Sequence, residues 1–186
     1  MRCDWVPIDD TPDGSLYREY HDSEWGQPLR GVIPLFERMS LEAFQSGLSW
    51  LIILRKRDNF RRAFHGFDIN NVAGYTDADV ARLMEDPGIV RNRAKIAATI
   101  ANARVAADLD TDLSDLLWSF APARRPRPKA LTDVPAVTPE STAMARELKR
   151  RGFKFVGPTT AYAVMQATGM VDDHIAACWV SAADKG

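Results

Sequence analysis

The sequence predicts an all-α fold. Apolar residues recur at helical spacing in several segments, as Leu35, Phe36 and Met39 do within residues 34–45. No run of residues shows the sustained apolar and polar alternation of a half-buried strand. The breaks between the helical segments contain Gly, Pro, Ser or Thr, which are the residue types that begin and end helices.

The helices of the first half follow from these breaks. We expect one helix over residues 34–45, interrupted at Gly47. Ser49 has the residue type of an N-cap, so a second helix should run from it to about Phe64. Thr76 should begin another, shorter helix.

The second half of the chain contains three more helical segments. Between residues 91 and 108, Ile and Ala side chains form one stripe. The Thr-Pro pair at 138–139 matches an N-cap followed by Pro at the first helical position, and that helix should stop at Gly152. Pro158 should open the next helix, which should close at Gly169.

Length and composition limit the class of protein. A chain of 186 residues that is 46% hydrophobic can bury a core of ordinary size, so we expect a single domain over residues 1–186. No apolar run approaches the roughly 20 residues that span a bilayer, and the N-terminus has no signal-peptide stretch. We therefore expect a cytoplasmic monomer. Two cysteines are too few for a disulfide framework.

The distribution of charge indicates a nucleic-acid partner more than the net charge does. The net charge is −1, but basic residues cluster in 55–62, 123–129 and 146–154. Acidic residues lie elsewhere, in 9–13 and 76–86. Local basic patches allow a neutral protein to hold a phosphate backbone. Each cluster also fits a solvated helix face, and the sequence leaves both interpretations open.

Residues 150–169 have the pattern of a helix end, a tight turn and a helix start. Gly157 supplies a residue that is free to take a positive φ. The helix that begins at Pro158 and Thr159 has unpaired N–H groups in its first turn, and these suit a phosphate. Lys154 lies inside the turn. A helix-hairpin-helix module needs these features to hold DNA without reading its sequence, although a plain helical hairpin would look similar.

Two pairs of cysteine and histidine lie at opposite ends of the chain. His174 precedes Cys178 by four residues, so the two share one face if the segment is helical. Cys3 and His21 form the other pair. A closed Cys2His2 set is the usual form of a structural zinc site, and here it would tie the two ends together. Two buried thiols and two unrelated histidines are the alternative.

The N-terminal third is rich in aromatic residues, and acids follow at two places. The aromatic residues are Trp5, Tyr17, Tyr20, Trp25 and Trp50. Such rings can hold an extruded base by stacking, but they are more often core. Glu42 has apolar neighbours on its helix, so it is either a first-turn acid or a polar group aimed into a pocket. Of Asp172 and Asp173, one should cap a helix that contains His174, and the other is a candidate carboxylate beside a reacting sugar.

Four long motifs run in order along the chain: MRCDWV, YREYHDSEWGQP, LEAFQSGLSWLIILRKRDNFR and RGFKFVGPTTAYAVMQATGMVDDH. Together with the final Cys178, they resemble the bacterial 3-methyladenine DNA glycosylase I family. The resemblance covers nearly the whole chain, from Cys3 to Cys178. It implies an all-helical fold of the helix-hairpin-helix glycosylase superfamily, with the hairpin module at about 139–169.

The resemblance also implies a set of site residues. A structural Zn²⁺ would be bound by Cys3, His21, His174 and Cys178. The base pocket would use a glutamate and stacked aromatic residues, which fall on Glu42, Tyr17, Tyr20 and Trp50, with Trp25 nearby. Leu48 resembles the residue that wedges into the duplex when a base leaves the stack. The remaining DNA contacts would be made at the hairpin by Gly152, Lys154, Gly157 and Thr159.

The implied activity is hydrolysis of the N-glycosidic bond of N3-methyladenine in double-stranded alkylated DNA, with 3-methyladenine as product. Glu42 would favour the cationic lesion over neutral adenine. Asp172 lies where superfamily relatives have a catalytic aspartate and where this family has an amide. It is therefore either a partner for the positive charge that develops on the sugar, or a cap. No lysine lies at 155–158 to form a Schiff base, so we expect a monofunctional enzyme.

Two other functions stay open at this point. The first is a non-catalytic, zinc-stabilised DNA-binding module that recognises distorted duplexes. Such a binder would not need a base pocket made of Glu42, Tyr20 and Trp50. The second is a catalytic zinc hydrolase, against which four protein ligands argue because they leave no open coordination position.

Overall fold

The computed structural model describes residues 1–180, and this part of the chain is all-α, as predicted. It contains nine α-helices and two 3₁₀ helices, with no strand among the described residues. The α-helices are α1 Pro12–Ser23, α2 Val32–Gln45, α3 Trp50–Ala63, α4 Ile69–Ala73, α5 Asp77–Glu85, α6 Arg93–Ala107, α7 Leu113–Trp118, α8 Pro139–Arg151 and α9 Pro158–Ala167. The 3₁₀ helices are His65–Phe67 and Leu131–Asp133. Across residues 1–180, every helix is too short or too polar to cross a membrane.

Four helices, α3, α5, α8 and α9, begin where the sequence predicts. Thr138 accepts a hydrogen bond from the backbone N–H of Ser141 at the start of α8, and Pro139 is the first helical residue. Thr76 makes a reciprocal capping box at the start of α5. Ser49 precedes α3 but makes no side-chain cap bond, so that part of the prediction is wrong. The short helices α4 and α7 were not predicted from the sequence.

Helix α2 lies at the centre of the molecule. Its apolar side chains Leu35, Phe36, Leu41 and Phe44 are fully buried. The helix packs against α3, α6, α7 and α9. Because other helices surround α2, Glu42 lies in the interior together with the apolar residues of that helix.

The turn between α8 and α9 has a different backbone from the predicted one. Gly157 has φ −77°, a value that any residue can adopt, so the expected positive φ is wrong. The left-handed residues are Gly152 (φ 103°), which ends α8, and Phe155 (φ 57°). Phe153 and Val156 are buried on either side of Phe155. Burying both of them confines the reversal to the two exposed residues between them, Lys154 and Phe155, and Phe155 takes the left-handed conformation.

The C-terminal segment is irregular, not helical, so the predicted helix around His174 and Cys178 is wrong. The chain from 171 to 180 is held by bonds from the loop 123–129 instead. Arg127 donates to the carbonyl oxygens of Cys178 and Val180, at 3.3 and 2.8 Å. These contacts replace the hydrogen bonds that a helix would have supplied.

Candidate metal centre and base pocket

Four side chains from the two ends of the chain meet in one buried cluster: Cys3, His21, His174 and Cys178. Their ligand atoms all lie within 4.8 Å of one another. Cys178 Sγ lies 3.6 Å from His21 Nε2 and 3.5 Å from His174 Nδ1. Cys3 Sγ also lies 3.5 Å from His174 Nδ1. Neighbouring ligand atoms around a tetrahedral zinc are separated by roughly 3.5 Å, so the geometry fits a metal ion.

The neighbours of the two histidines select which ring nitrogen faces the cluster. Nδ1 of His21 lies 2.8 Å from a carboxylate oxygen of Asp22, and Nε2 of His174 lies 3.0 Å from the carbonyl oxygen of Trp25. Both outer nitrogens can therefore donate, which leaves His21 Nε2 and His174 Nδ1 as lone-pair ligands. Burial lowers the pKa of His174 to about 4, so its imidazole is neutral at neutral pH, as a ligand must be.

A cavity of about 300 Å³ lies beside the cluster. Its aromatic lining consists of Trp5, Tyr17, Tyr20, Trp25 and Trp50. Its polar lining consists of Glu42, Gln45, Gln166 and Asp173. An apolar concavity with a few convergent polar groups is typical of a small-molecule site. All five residues that the sequence nominates for the base pocket therefore line one cavity.

Three elements position these side chains. Tyr17 and Tyr20 are one turn apart on α1, Glu42 lies on α2, and Trp50 is the first residue of α3. The ring centroids of Tyr20 and Trp50 are 5.4 Å apart. Trp25 follows α1 and connects the cavity to the cluster, because its ring packs edge-on against His174 at 4.7 Å.

Glu42 is a buried acid of the cavity wall, with 6% of its surface exposed. Burial raises the pKa of Glu42 to about 7, and the positive charge of Arg38 opposes that rise. The indole N–H of Trp50 is also buried and has no hydrogen-bond partner among residues 1–180. A buried polar group without a partner is costly, so a ligand that satisfied it would bind with advantage.

The two adjacent aspartates of the C-terminal segment have different surroundings. Asp172 accepts hydrogen bonds from the backbone N–H of His174 (3.3 Å) and from Arg127 (2.8 Å), and it lies outside the cavity lining. These bonds support the interpretation of Asp172 as a cap, although it caps a turn and not a helix. Asp173 is buried and lines the cavity. Its carboxylate accepts from three side chains: Tyr162 (2.5 Å), Gln166 (2.9 Å) and Arg125 (2.8 Å).

Sequence reasoning did not identify Gln45 and Gln166 as lining residues. Gln45 lies three positions after Glu42, so helical spacing places both on one face of α2, and that signal could have found it. Gln166 could not be found in this way, because α9 presents several faces to the core. Its place in the site depends on the hydrogen bond to Asp173.

The predicted DNA-contacting residues lie at two places. Leu48 is half-buried in the link between α2 and α3, where its carbonyl oxygen accepts from the Gln45 side chain at 2.7 Å. The hairpin residues are all exposed: Gly152, Lys154, Gly157 and Thr159. Gly157 supplies no side-chain cap to α9, so the first N–H groups of that helix have no capping side chain.

Many arginines of the predicted basic clusters form ion pairs within the molecule. Arg57 and Arg61 of the cluster 55–62 pair with Glu24 and Glu37. In the cluster 146–154, both Arg150 and Arg151 pair with Glu147. The loop 123–129 directs arginines at Asp172 and Asp173. Its arginines therefore fasten the C-terminal segment.

The helical architecture, the α8–α9 hairpin and the aromatic cavity with its buried carboxyl define the class of helix-hairpin-helix DNA glycosylases. The family model described as methyladenine glycosylase matches residues 11–181. The chain belongs to the methyladenine glycosylase family.

The relatives of this chain are similar over nearly their whole length. The chain is 44% identical to DNA-3-methyladenine glycosylase 1 of Escherichia coli (strain K12) over 182 residues, which covers 95% of each chain. A crystal structure of 3-methyladenine DNA glycosylase I superposes with a TM-score of 0.90 at 44% identity, covering 96% of this chain and 98% of that one. A variant of 3-methyladenine DNA glycosylase I in complex with 3-methyladenine has a TM-score of 0.85 at 33% identity, covering 92% and 94% of the two chains.

Proposed function

We propose that this chain is a DNA-3-methyladenine glycosylase, which hydrolyses the N-glycosidic bond of 3-methyladenine in double-stranded alkylated DNA. The observation that carries the proposal is a buried carboxyl group, Glu42, in an aromatic cavity of about 300 Å³. Membership in the family and the relatives at 44% identity support the same activity. A plain DNA-binding module would have no use for such a cavity.

Recognition of the base depends on its charge. The N3-methylated adenine is a cation while it is joined to the sugar, and adenine is neutral. The faces of Tyr17, Tyr20 and Trp50 would attract that cation by roughly 0.5–2 kcal/mol each. Glu42 as a carboxylate would accept hydrogen bonds from the base edge and would oppose the positive charge. Both interactions weaken for neutral adenine, so the pocket would discriminate against the undamaged base.

The same positive charge makes the methylated base a good leaving group. The protein must therefore extrude the base, hold it and admit water to the sugar. We propose that Asp173, which faces the cavity, supplies negative charge toward the sugar as the bond breaks. Asp172 would act only as the turn cap. No lysine is among the described residues that line the cavity, which supports a monofunctional enzyme that leaves the strand intact.

The metal centre would act as scaffold, and we propose that its ion is Zn²⁺. Two thiolates and two neutral imidazoles are a preferred ligand set for zinc, and four protein ligands close the coordination sphere. Within this centre, His174 would orient Trp25, because the Trp25 ring packs against His174 and also lines the cavity. Chemistry at the sugar would then depend on the cavity residues.

DNA would be held at two places by residues of one chain. The hairpin would contact phosphates through Lys154, Thr159 and the first N–H groups of α9, with Gly152 and Gly157 allowing close approach. Leu48 would fill the space that the extruded base leaves. Residues of one chain line the whole cavity, and the relatives are bacterial enzymes named for a DNA substrate, so we propose a cytoplasmic monomer.

The experiment that tests the function is base release. The purified protein is incubated with methylated duplex DNA, and the freed bases are separated by chromatography. Free 3-methyladenine with an intact strand is the expected result. Folded, metal-containing protein that binds the duplex but releases no base would replace this proposal with the non-catalytic DNA-binding module.

A further inference from the structure

A buried arginine lies directly behind the base pocket. Arg38 is 8% exposed and comes one helical turn before Glu42 on α2. Its guanidinium donates to the hydroxyl oxygen of Tyr20 at 2.8 Å. The guanidinium carbon lies 5.2 Å from the ring centroid of Tyr20 and 5.5 Å from that of Trp50. Arg38 thus contacts two of the rings that line the cavity with Glu42.

The charges around Arg38 do not cancel without Glu42. Glu24 accepts from Arg57 at 2.6 and 2.9 Å and from Arg38 at a longer 3.4 Å. Two arginines therefore share one carboxylate, which leaves an excess of one positive charge. Ionised Glu42 makes this group of four neutral, whereas protonated Glu42 leaves a buried cation uncompensated.

We propose that Arg38 is a positioning residue of the pocket, whose buried charge holds Glu42 as a carboxylate and so makes the pocket select a cationic base. The inference rests on the proposed function, because it assumes that the cavity receives the methylated base. A pocket backed by a cation would otherwise repel such a base. The ionised carboxylate of Glu42 would offset this repulsion between Arg38 and the base. The hydrogen bond from Arg38 to Tyr20 would fix the ring on which the base would stack.

The other charged and titratable groups that face Glu42 are few. Tyr17 and Tyr20 come from α1, and burial raises the pKa of each hydroxyl, so both are neutral at pH 7. Asp173 comes from the C-terminal segment, and its charge is paired with Arg125. Arg57 comes from α3 and is paired with Glu24. Arg38 is therefore the cation whose removal should change the ionisation of Glu42 most.

The test separates the charge of Arg38 from its hydrogen bond. Arg38→Gln retains a donor for Tyr20 but removes the charge, and Arg38→Lys retains the charge. Arg61→Gln is the matched control, because Arg61 pairs with Glu37 at the surface and lies outside the pocket. Carbon-13 NMR of the metal-containing protein would follow the Glu42 carboxyl from pH 5 to 9, with Glu42→Gln used to assign its resonance.

We expect the Glu42 midpoint in Arg38→Gln to rise by about one pH unit, with Arg38→Lys and the control close to wild type. Single-turnover release of 3-methyladenine should then fall about fivefold at pH 7 in Arg38→Gln and recover toward pH 9, because the ionised fraction of Glu42 falls by that factor. A merely structural Arg38 would lower the rate equally at every pH.

Two results would overturn the inference. One is a Glu42 midpoint in Arg38→Gln that equals the wild-type value. The other, which needs no variant to fold, is a wild-type Glu42 that stays protonated through pH 8. The NMR measurement does not depend on catalysis, so a wild-type protein that releases no base would refute the proposed function without deciding the role of Arg38.

Discussion

At the scale of single residues, the pocket depends on a carboxyl group that is costly to bury. Burial raises the pKa of the Glu42 carboxyl to about 7, and the nearby charge of Arg38 opposes that rise. A group kept in such surroundings destabilises the fold unless a ligand compensates it, which is typical of functional sites.

Replacing Glu42 should therefore separate function from stability. Glu42→Gln keeps the shape of the side chain but removes its charge, so we expect at least a 10-fold loss in binding of the cationic base, as for a lost charged hydrogen bond of about 1.5–3 kcal/mol. The melting temperature should stay unchanged or rise. Single-turnover excision and thermal denaturation measure the two effects. Glu37→Gln, five residues before Glu42 on α2 and paired with Arg61, is the control that should retain full activity.

The two adjacent aspartates give a sharper comparison. Asp173→Asn should slow single-turnover excision at least 10-fold, because the amide cannot supply negative charge toward the sugar, while affinity for the duplex is retained. Asp172→Asn should change the rate less than about threefold, because Asp172 serves His174 and Arg127 outside the cavity. The reverse order of the two rates would return the catalytic role to Asp172.

At the scale of elements, the link between α2 and α3 is built to hold Leu48 in place. Lys95 of α6 is buried and donates to the carbonyl oxygens of Phe44 and Ser46, at 2.8 and 2.5 Å. These carbonyls belong to the C-terminal end of α2, where a cation is favourable. Gln45 fixes the carbonyl oxygen of Leu48 from the other side. Hydrogen bonds from Lys95 and Gln45 therefore hold the backbone of this link in place.

Lys95→Met should loosen this link without emptying the pocket. We expect faster amide exchange at residues 46–49 and slower excision from duplex DNA, because Leu48 would no longer be held ready to enter the stack. Binding of free 3-methyladenine should be nearly unchanged. Arg93→Met, which removes an exposed cation from the same helix, is the control for charge removal. Unchanged excision from the duplex would show that Leu48 needs no such support.

The elements also show which parts of the fold the sequence could predict. Helix starts such as Thr138–Pro139 were predicted because capping is local chemistry within four residues. The φ values of Gly157 and Phe155 were not, because burial of Phe153 and Val156 against distant helices decides that turn. The irregular chain at 171–180 escaped prediction for the same reason, since Arg127 holds it from some fifty residues away.

The candidate site divides in the same way. The aromatic residues of α1 could be nominated from their spacing, and the meeting of Cys3 with Cys178 from their chemistry and from family resemblance. The choice between Asp172 and Asp173 could not be made, because in an irregular segment no periodicity states which side chain faces inward. Their arginine partners lie in the loop 123–129, which has no repeating pattern.

At the scale of the whole molecule, the metal centre joins the two ends of the chain and supports the pocket. The cluster takes ligands from positions 3 and 21 and from 174 and 178. The backbone N–H of Trp179 also donates to the carbonyl oxygen of Met1 at 3.0 Å. Trp25 packs on His174 and lines the cavity, so the cluster and the pocket share one side chain.

Removing one ligand should therefore affect stability before chemistry. If the cluster holds one Zn²⁺ per chain, as proposed, Cys3→Ser should abolish that binding in native mass spectrometry. It should also lower the melting temperature by about 10 °C, equivalent to roughly 3–5 kcal/mol for a domain of this size. The fraction that stays folded should retain most of its excision rate, because no cavity residue is changed. His65→Gln alters the one histidine outside the cluster and should keep both the ion and the melting temperature. Loss of all excision from folded Cys3→Ser protein would instead make the ion a participant in the reaction.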